Sequence, residues 1–119
     1  MKDFDFEAFK KRCVYDEELQ KTIMEGSIPN IPEQLNKIEE AFRGNDAYSL
    51  EREAHGLKGT SGTLSALKLQ ETVKEIELSA KSGEVKEEVE ELLRSARENY
   101  NTFLSQVEGA GIYSRDSSE

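Results

Sequence analysis

The chain contains one histidine, His55, within the run Ala54-His55-Gly56-Leu57-Lys58-Gly59-Thr60-Ser61-Gly62-Thr63-Leu64. Imidazole has an ordinary pKa of about 6.5, so near neutral pH it offers a neutral, nucleophilic nitrogen. Lys58 follows one helical turn on, and Gly56, Gly59 and Gly62 surround the pair. A lysine ammonium is a mobile point cation suited to an anionic group. Each glycine inside a helix costs about 1 kcal/mol relative to alanine, so three close together need a reason. At about 100° per residue, Gly62 and Gly59 fall about 20° and 40° from His55, with Lys58 on the side nearer the core. The glycines then leave the surface beside the imidazole bare, and another protein can approach it closely. A lone surface histidine usually has no such role. A nucleophile with a neighbouring cation and bare backbone suits a carrier that accepts and hands on a phosphoryl group.

The elements that must position these residues are helical, because apolar residues recur with a period of about 3.6. Leu50, Ala54, Leu57, Ser61 and Leu64 form one stripe, and His55 lies about 130° from its centre, facing outward. Asn45 or Asp46 caps this helix, which is expected to end around Gly62 to Ser65. A short amphipathic piece from about Asp5 to Cys13 precedes it, anchored by Phe6 and Phe9 beside Phe4. A segment from about Asp16 to Phe42 carries Leu19, Ile23, Ile28, Ile31, Leu35, Ile38 and Phe42. Gly26, Pro29 and Pro32 predict a break or kink in it, most simply a break near residues 26 to 30. After the His helix, Ser65 is expected to cap a segment with Ala66, Leu69, Val73, Ile76 and Ala80, stopped by Ser82-Gly83. A last helix from about Glu84 to Glu108 carries Val85, Val89, Leu92, Ala96, Tyr100, Phe103 and Val107. The pattern predicts an all-α, antiparallel four-helix bundle with a short extra N-terminal helix. Residues 1–108 form that domain, and 109–119 are expected to be a flexible tail.

Composition narrows the function classes. A chain of 119 residues suits one domain. Hydrophobic residues at 35% are enough to build a core and exclude a disordered chain. A net charge of −9 argues against nucleic acid or an anionic membrane as partner. The single cysteine, Cys13, cannot form a disulfide within the chain and reads as an ordinary free thiol. The N-terminus lacks a basic region followed by an apolar one, and no apolar run approaches membrane-spanning length; a cytoplasmic location is expected. One histidine and scattered carboxylates give no metal site. No Gly-Lys pair exists, which sets aside a P-loop. A Ser-His-Asp hydrolase would need a buried carboxylate orienting the histidine, and the helical pattern offers none.

Residues 54 to 66, Ala-His-Gly-Leu-Lys-Gly-Thr-Ser-Gly-Thr-Leu-Ser-Ala, resemble the signature of histidine-containing phosphotransfer (HPt) domains. The stretch from Pro32 to Asp46 resembles the helix and turn before the His helix in that family, and Leu69 to Ile76 the helix after it. The resemblance covers roughly residues 4 to 108. Gly56 departs from it, standing where the family more often has Thr or Ser, as does the Gly26 to Pro29 stretch. The resemblance implies a phosphoryl carrier without catalysis of its own. His55 would accept the group from a receiver-domain aspartate, on Nε2, and pass it to another receiver. Lys58 would lie near the phosphoryl group, Gly59 would keep the site open, and Arg52 and Gly62 would have lesser docking roles. The implied partners are response-regulator receivers and a hybrid or sensor histidine kinase. The chain would carry no cofactor, Mg²⁺ being expected on the receiver, and would be a monomer. The alternative is a helical docking module that binds a receiver or kinase without being phosphorylated. Another relative, a chemotaxis-kinase phosphorylation domain, is disfavoured by the short length.

Overall fold

The computed structural model describes residues 1–115. Among the described residues six α-helices follow one another: α1 (Phe6–Arg12), α2 (Glu17–Ser27), α3 (Ile31–Arg43), α4 (Ala47–Thr63), α5 (Leu67–Ala80) and α6 (Glu88–Gly109). Helix α4 packs between α3 and α5, α5 packs against α6, and α6 returns to α3, which closes a four-helix ring. Short connections turn α4 back on α3, α5 on α4 and α6 on α5, as the antiparallel reading requires. Helix α2 extends α3 upstream, and α1 packs on α2.

Aspartates start three of the helices. Asp5 accepts from the Ala8 amide, Asp16 from Glu18 and Leu19, and Asp46 from Ser49, each with a side-chain oxygen at 3.0–3.1 Å. These bonds satisfy amides that have no partner within the helix. Of the two capping candidates before α4, Asp46 is the cap, and Asn45 makes the turn at φ +54°. The prolines neither end the helical path nor merely kink it. A 3-10 turn, Ile28–Asn30, joins α2 to α3, with Pro29 and Pro32 in first-turn positions where no intrahelical donor is lost.

The core stripes of α4 and α5 are those the spacing predicts: Leu50, Ala54, Leu57, Ser61 and Leu64, then Ala66, Leu69, Val73, Ile76 and Ala80, are all buried. Ser61 is satisfied in the core by donating its hydroxyl to the Leu57 carbonyl at 2.8 Å. Phe4 stacks on Phe6 and meets Phe103 edge-on, joining the N-terminal segment to α6.

Several local expectations need correction. Leu19 is exposed, and α2 buries Gln20 and Met24 instead, because α2 uses only a narrow face. Ser65 does not cap α5. It takes φ +56° with its hydroxyl buried and unpartnered, while the N-terminal segment clamps the turn. Asp5 donates its amide to the Ser65 carbonyl at 3.0 Å, and Leu67 donates to the Asp3 carbonyl at 2.9 Å. The Asp3 carbonyl thus takes the Leu67 amide in place of the side-chain cap that was expected. Helix α6 starts at Glu88 rather than Glu84; residues 84–87 form the connection, with Val85 half-buried. Leu93 and Leu104 are buried in α6, whereas Leu92 and Tyr100 are half-buried. Gly109 completes α6, and the described part of the expected tail folds back. Ile112 and Tyr113 pack on the core, and Arg115 pairs with Glu108 at 2.8 Å. Residues 116–119 of that tail lie outside the described residues.

Cys13 is buried, and burial pushes its thiol above the ordinary value, consistent with a free but unreactive group. No helix among the described residues is long and apolar enough to cross a membrane.

Candidate functional site

His55 stands near the middle of α4, away from the core stripe, with 68% of its side chain exposed. Its Nδ1 lies 2.7 Å from Oε2 of Glu77 on α5. The other Glu77 oxygen accepts from Lys58 Nζ, also at 2.7 Å. Two adjacent helices thus bring together a His–Glu–Lys triad. Helix α4 supplies His55 and Lys58 one turn apart, and α5 supplies the acid between Ile76 and Ala80.

Glu77 is 5% exposed. Burial alone would raise its carboxyl, but the hydrogen bonds from Lys58 and His55 together outweigh burial and hold it below the ordinary glutamate value. An ionised carboxylate can only accept hydrogen bonds, so it selects the imidazole tautomer with its proton on Nδ1. The lone pair is then on Nε2, which has no partner among the described residues. The acid also holds the ring in one orientation. The expectation that no buried carboxylate would orient His55 is therefore overturned. Glu77 is absent from the residues expected at the site; its one signal in the sequence is an acid at helical spacing from Val73 and Ala80. Such a residue is almost never buried unless paired.

The three glycines differ in their surroundings. A Cβ on Gly59 would meet nothing within 4 Å, so the surface there is open. A Cβ on Gly56 would only reach the Gln34 amide nitrogen at 4.0 Å. At Gly62 it would come within 2.7 Å of Gln70 Nε2, and Arg12 donates to the Gly62 carbonyl. Gly62 therefore makes room for side chains of this chain rather than leaving a bare surface. Open approach to His55 rests on Gly59.

Lys58 is 29% exposed, and its ammonium keeps donors beyond the one spent on Glu77. Arg52, one turn before His55, lies over the exposed Tyr48 ring with its guanidinium carbon 5.7 Å from the ring centre. A cavity lies elsewhere, between α1, α2 and residues 108–114, and no triad residue lines it. Among the described residues no cluster of three or more His, Cys, Asp or Glu could hold a metal ion. The arrangement is a nucleophile presented on a convex surface, with its partner to be brought by another macromolecule.

A family model described as the Hpt domain matches residues 23–109, well over half of the chain. No curated protein matches it. Among solved structures, the HPT domain of an Hpt sensor hybrid histidine kinase from Shewanella shares the fold. The TM-score is 0.76 at 19% identity, over 91% of this chain and 92% of that one. The matched span contains His55, Lys58, Gly59 and Glu77 on the helices just described. The chain belongs to the Hpt family and is a phosphotransfer domain of two-component signalling, a family that interacts with receiver and kinase proteins.

Proposed function

We propose that His55 is the phosphoacceptor, taking a phosphoryl group from a receiver-domain aspartate and passing it to another receiver. The observation that carries this reading is the bond from Nδ1 to the buried Glu77 carboxylate. It leaves Nε2 as the nucleophile. The Nε2 lone pair forms the N–P bond as the bond from phosphorus to the aspartate oxygen breaks, and the aspartate leaves as a free carboxylate. No proton need move, because Nδ1 keeps its hydrogen. The imidazole gains positive charge as the bond forms, and Glu77 faces that charge across the ring. Return transfer runs the same steps in reverse.

Glu77 is a positioning residue in this account, acting through His55. Lys58 has two tasks: it keeps the buried Glu77 ionised, and its remaining donors offset phosphoryl charge. Gly59 admits the partner's surface. Magnesium is assigned to the receiver, where it would neutralise phosphoryl charge; this chain supplies the nucleophile and its orientation. The protein is accordingly a carrier rather than an enzyme, acts in the cytoplasm, and works as a monomer. A docking module that is never phosphorylated would need neither a nucleophile nor a buried acid on Nδ1, and nothing in the geometry favours it.

The test is transfer from a phosphorylated receiver in the presence of Mg²⁺. The protein should acquire an acid-labile phosphoryl group, and His55→Gln should abolish it without loss of helicity. Labelling that persists in His55→Gln would refute the assignment.

A further inference from the structure

We propose that the cavity between α1, α2 and residues 108–114 binds an uncharged nucleoside, with the Gln20 amide on the edge of its base and the rings of Tyr15 and Tyr113 as walls. No member of the His–Glu–Lys triad lines this cavity, so the site is separate from phosphotransfer.

The cavity has a volume of about 790 Å³, within the roughly 300–1,000 Å³ of small-molecule sites. Gln20 points to its occupant. It is 4% exposed, yet its side-chain amide bonds no described residue. A buried amide left unpaired costs free energy, and a partner for Gln20 must come through the cavity it lines. A primary amide presents an acceptor and a donor side by side. A trans peptide bond points its own pair in opposite directions and cannot answer both. The edge of a nucleobase can, as adenine does for glutamine.

The walls suit a flat ring. Tyr15 and Tyr113 line the cavity, and among the described residues neither stacks on another ring, which leaves them to stack on a base. Tyr15 is fixed by its backbone. Val14 and Tyr15 hold φ of +48° and +59°, a region that side chains rarely adopt, and the Tyr15 amide donates to the Lys10 carbonyl at 2.8 Å. The segment carrying Tyr113 is tied back to α6 by Arg115, which donates to both oxygens of Glu108 at 2.8 Å. The charges decide against a phosphate. Glu108 is spent on Arg115, and Lys10 is spent on Glu7 at 2.6 Å. The lining keeps Glu17 and Glu25, without ion pairs among the described residues, and Lys21 one turn from each. Two carboxylates against one ammonium, in a chain of net charge −9, repel a phosphate and can accept from sugar hydroxyls.

The test is titration calorimetry of the full chain with inosine, adenosine, uridine and cytidine, alongside NMR of the Gln20 side-chain amide. At least one nucleoside should shift that amide and bind with a Kd between about 10 µM and about 1 mM. Gln20→Leu, which keeps the size and drops the unpaired amide, should weaken the binding at least about 10-fold. Tyr113→Ala should weaken it at least about 5-fold. The 5′-monophosphate of the same nucleoside should bind more weakly, because Glu17 and Glu25 repel it. Equal or tighter binding of the monophosphate would overturn the assignment to an uncharged ligand. Failure of every nucleoside to bind at millimolar concentration would show a cavity that holds solvent alone, and would overturn the site. Binding unchanged by Gln20→Leu, or by Tyr113→Ala where Gln20→Leu fails to fold, would place the ligand elsewhere and overturn it as well.

Discussion

Glu77→Gln is the perturbation that bears most directly on how His55 is prepared. Glutamine has the same shape, so packing between Ile76 and Ala80 is kept, and its carbonyl can still accept from Nδ1. What disappears is the negative charge across a 2.7 Å hydrogen bond from the ring. Two unit charges about 4 Å apart interact by about 1 kcal/mol in water and about 4 kcal/mol at an effective dielectric near 20. The acid is buried and the imidazole largely exposed, so the value lies between, at about 1–3 kcal/mol. That energy favours the transition state, where the imidazole gains charge, and its loss should slow phosphoryl transfer about 5- to 150-fold. Rapid-quench measurement of single-turnover transfer from a phosphorylated receiver would read it, with receiver affinity unchanged. A rate equal to that of the unaltered protein, with helicity intact, would refute the electrostatic role of Glu77.

The same variant has a signature in stability against pH. The folded-state pKa of Glu77 is depressed, so on acidification the unfolded chain binds this proton first. The stability it contributes is present above the ordinary glutamate range and is lost as pH falls through the lower folded value. Glu77→Gln should therefore lose less stability than the unaltered protein over that acid window. Thermal melts across it would show the difference.

Three further substitutions separate the roles of the surrounding residues. Lys58→Ala should slow transfer about 5- to 10-fold, since a partly exposed cation at this range supplies about 1 kcal/mol. Combined with Glu77→Gln, the loss should be less than the product of the two, because Lys58 acts partly through Glu77; fully multiplicative losses would show independent roles. Gly59→Leu should weaken receiver binding at least about 10-fold while raising helix stability by up to about 1 kcal/mol, and unchanged binding by titration calorimetry would contradict open approach at Gly59. Gly62→Ala should leave receiver binding intact, because the added methyl meets the flexible Gln70 side chain instead of the partner; weakened binding would return Gly62 to the docking face.

The bundle was legible because its strongest signals are local. The α4 and α5 stripes could be read from spacing alone, since a helix that buries one face shows it in sequence. So could the outward position of His55. What escaped depends on contacts between segments distant in sequence. Ser65 looks like a cap until the Asp3 carbonyl takes over that duty. Gly62 looks like His55's neighbour on a helical wheel, yet Gln70 from α5 and Arg12 from α1 cover it. Leu19 loses its place in the core to Gln20 and Met24 because α2 packs on only part of its surface. Glu77 is the instructive case. A single acid on an apolar stripe signals a buried partner, but nothing local says that the partners are His55 and Lys58, 22 and 19 residues earlier.

The central claim is that Glu77 keeps the proton on Nδ1 so that Nε2 takes the phosphoryl group. The most direct measurement is heteronuclear NMR of the ¹⁵N-histidine-labelled protein, before and after transfer from a phosphorylated receiver. With one histidine in the chain, the spectrum is unambiguous. The expected result is a neutral ring protonated at Nδ1, and then phosphorus bonded to Nε2. A resting ring protonated at Nε2, or phosphorus on Nδ1, would contradict the account.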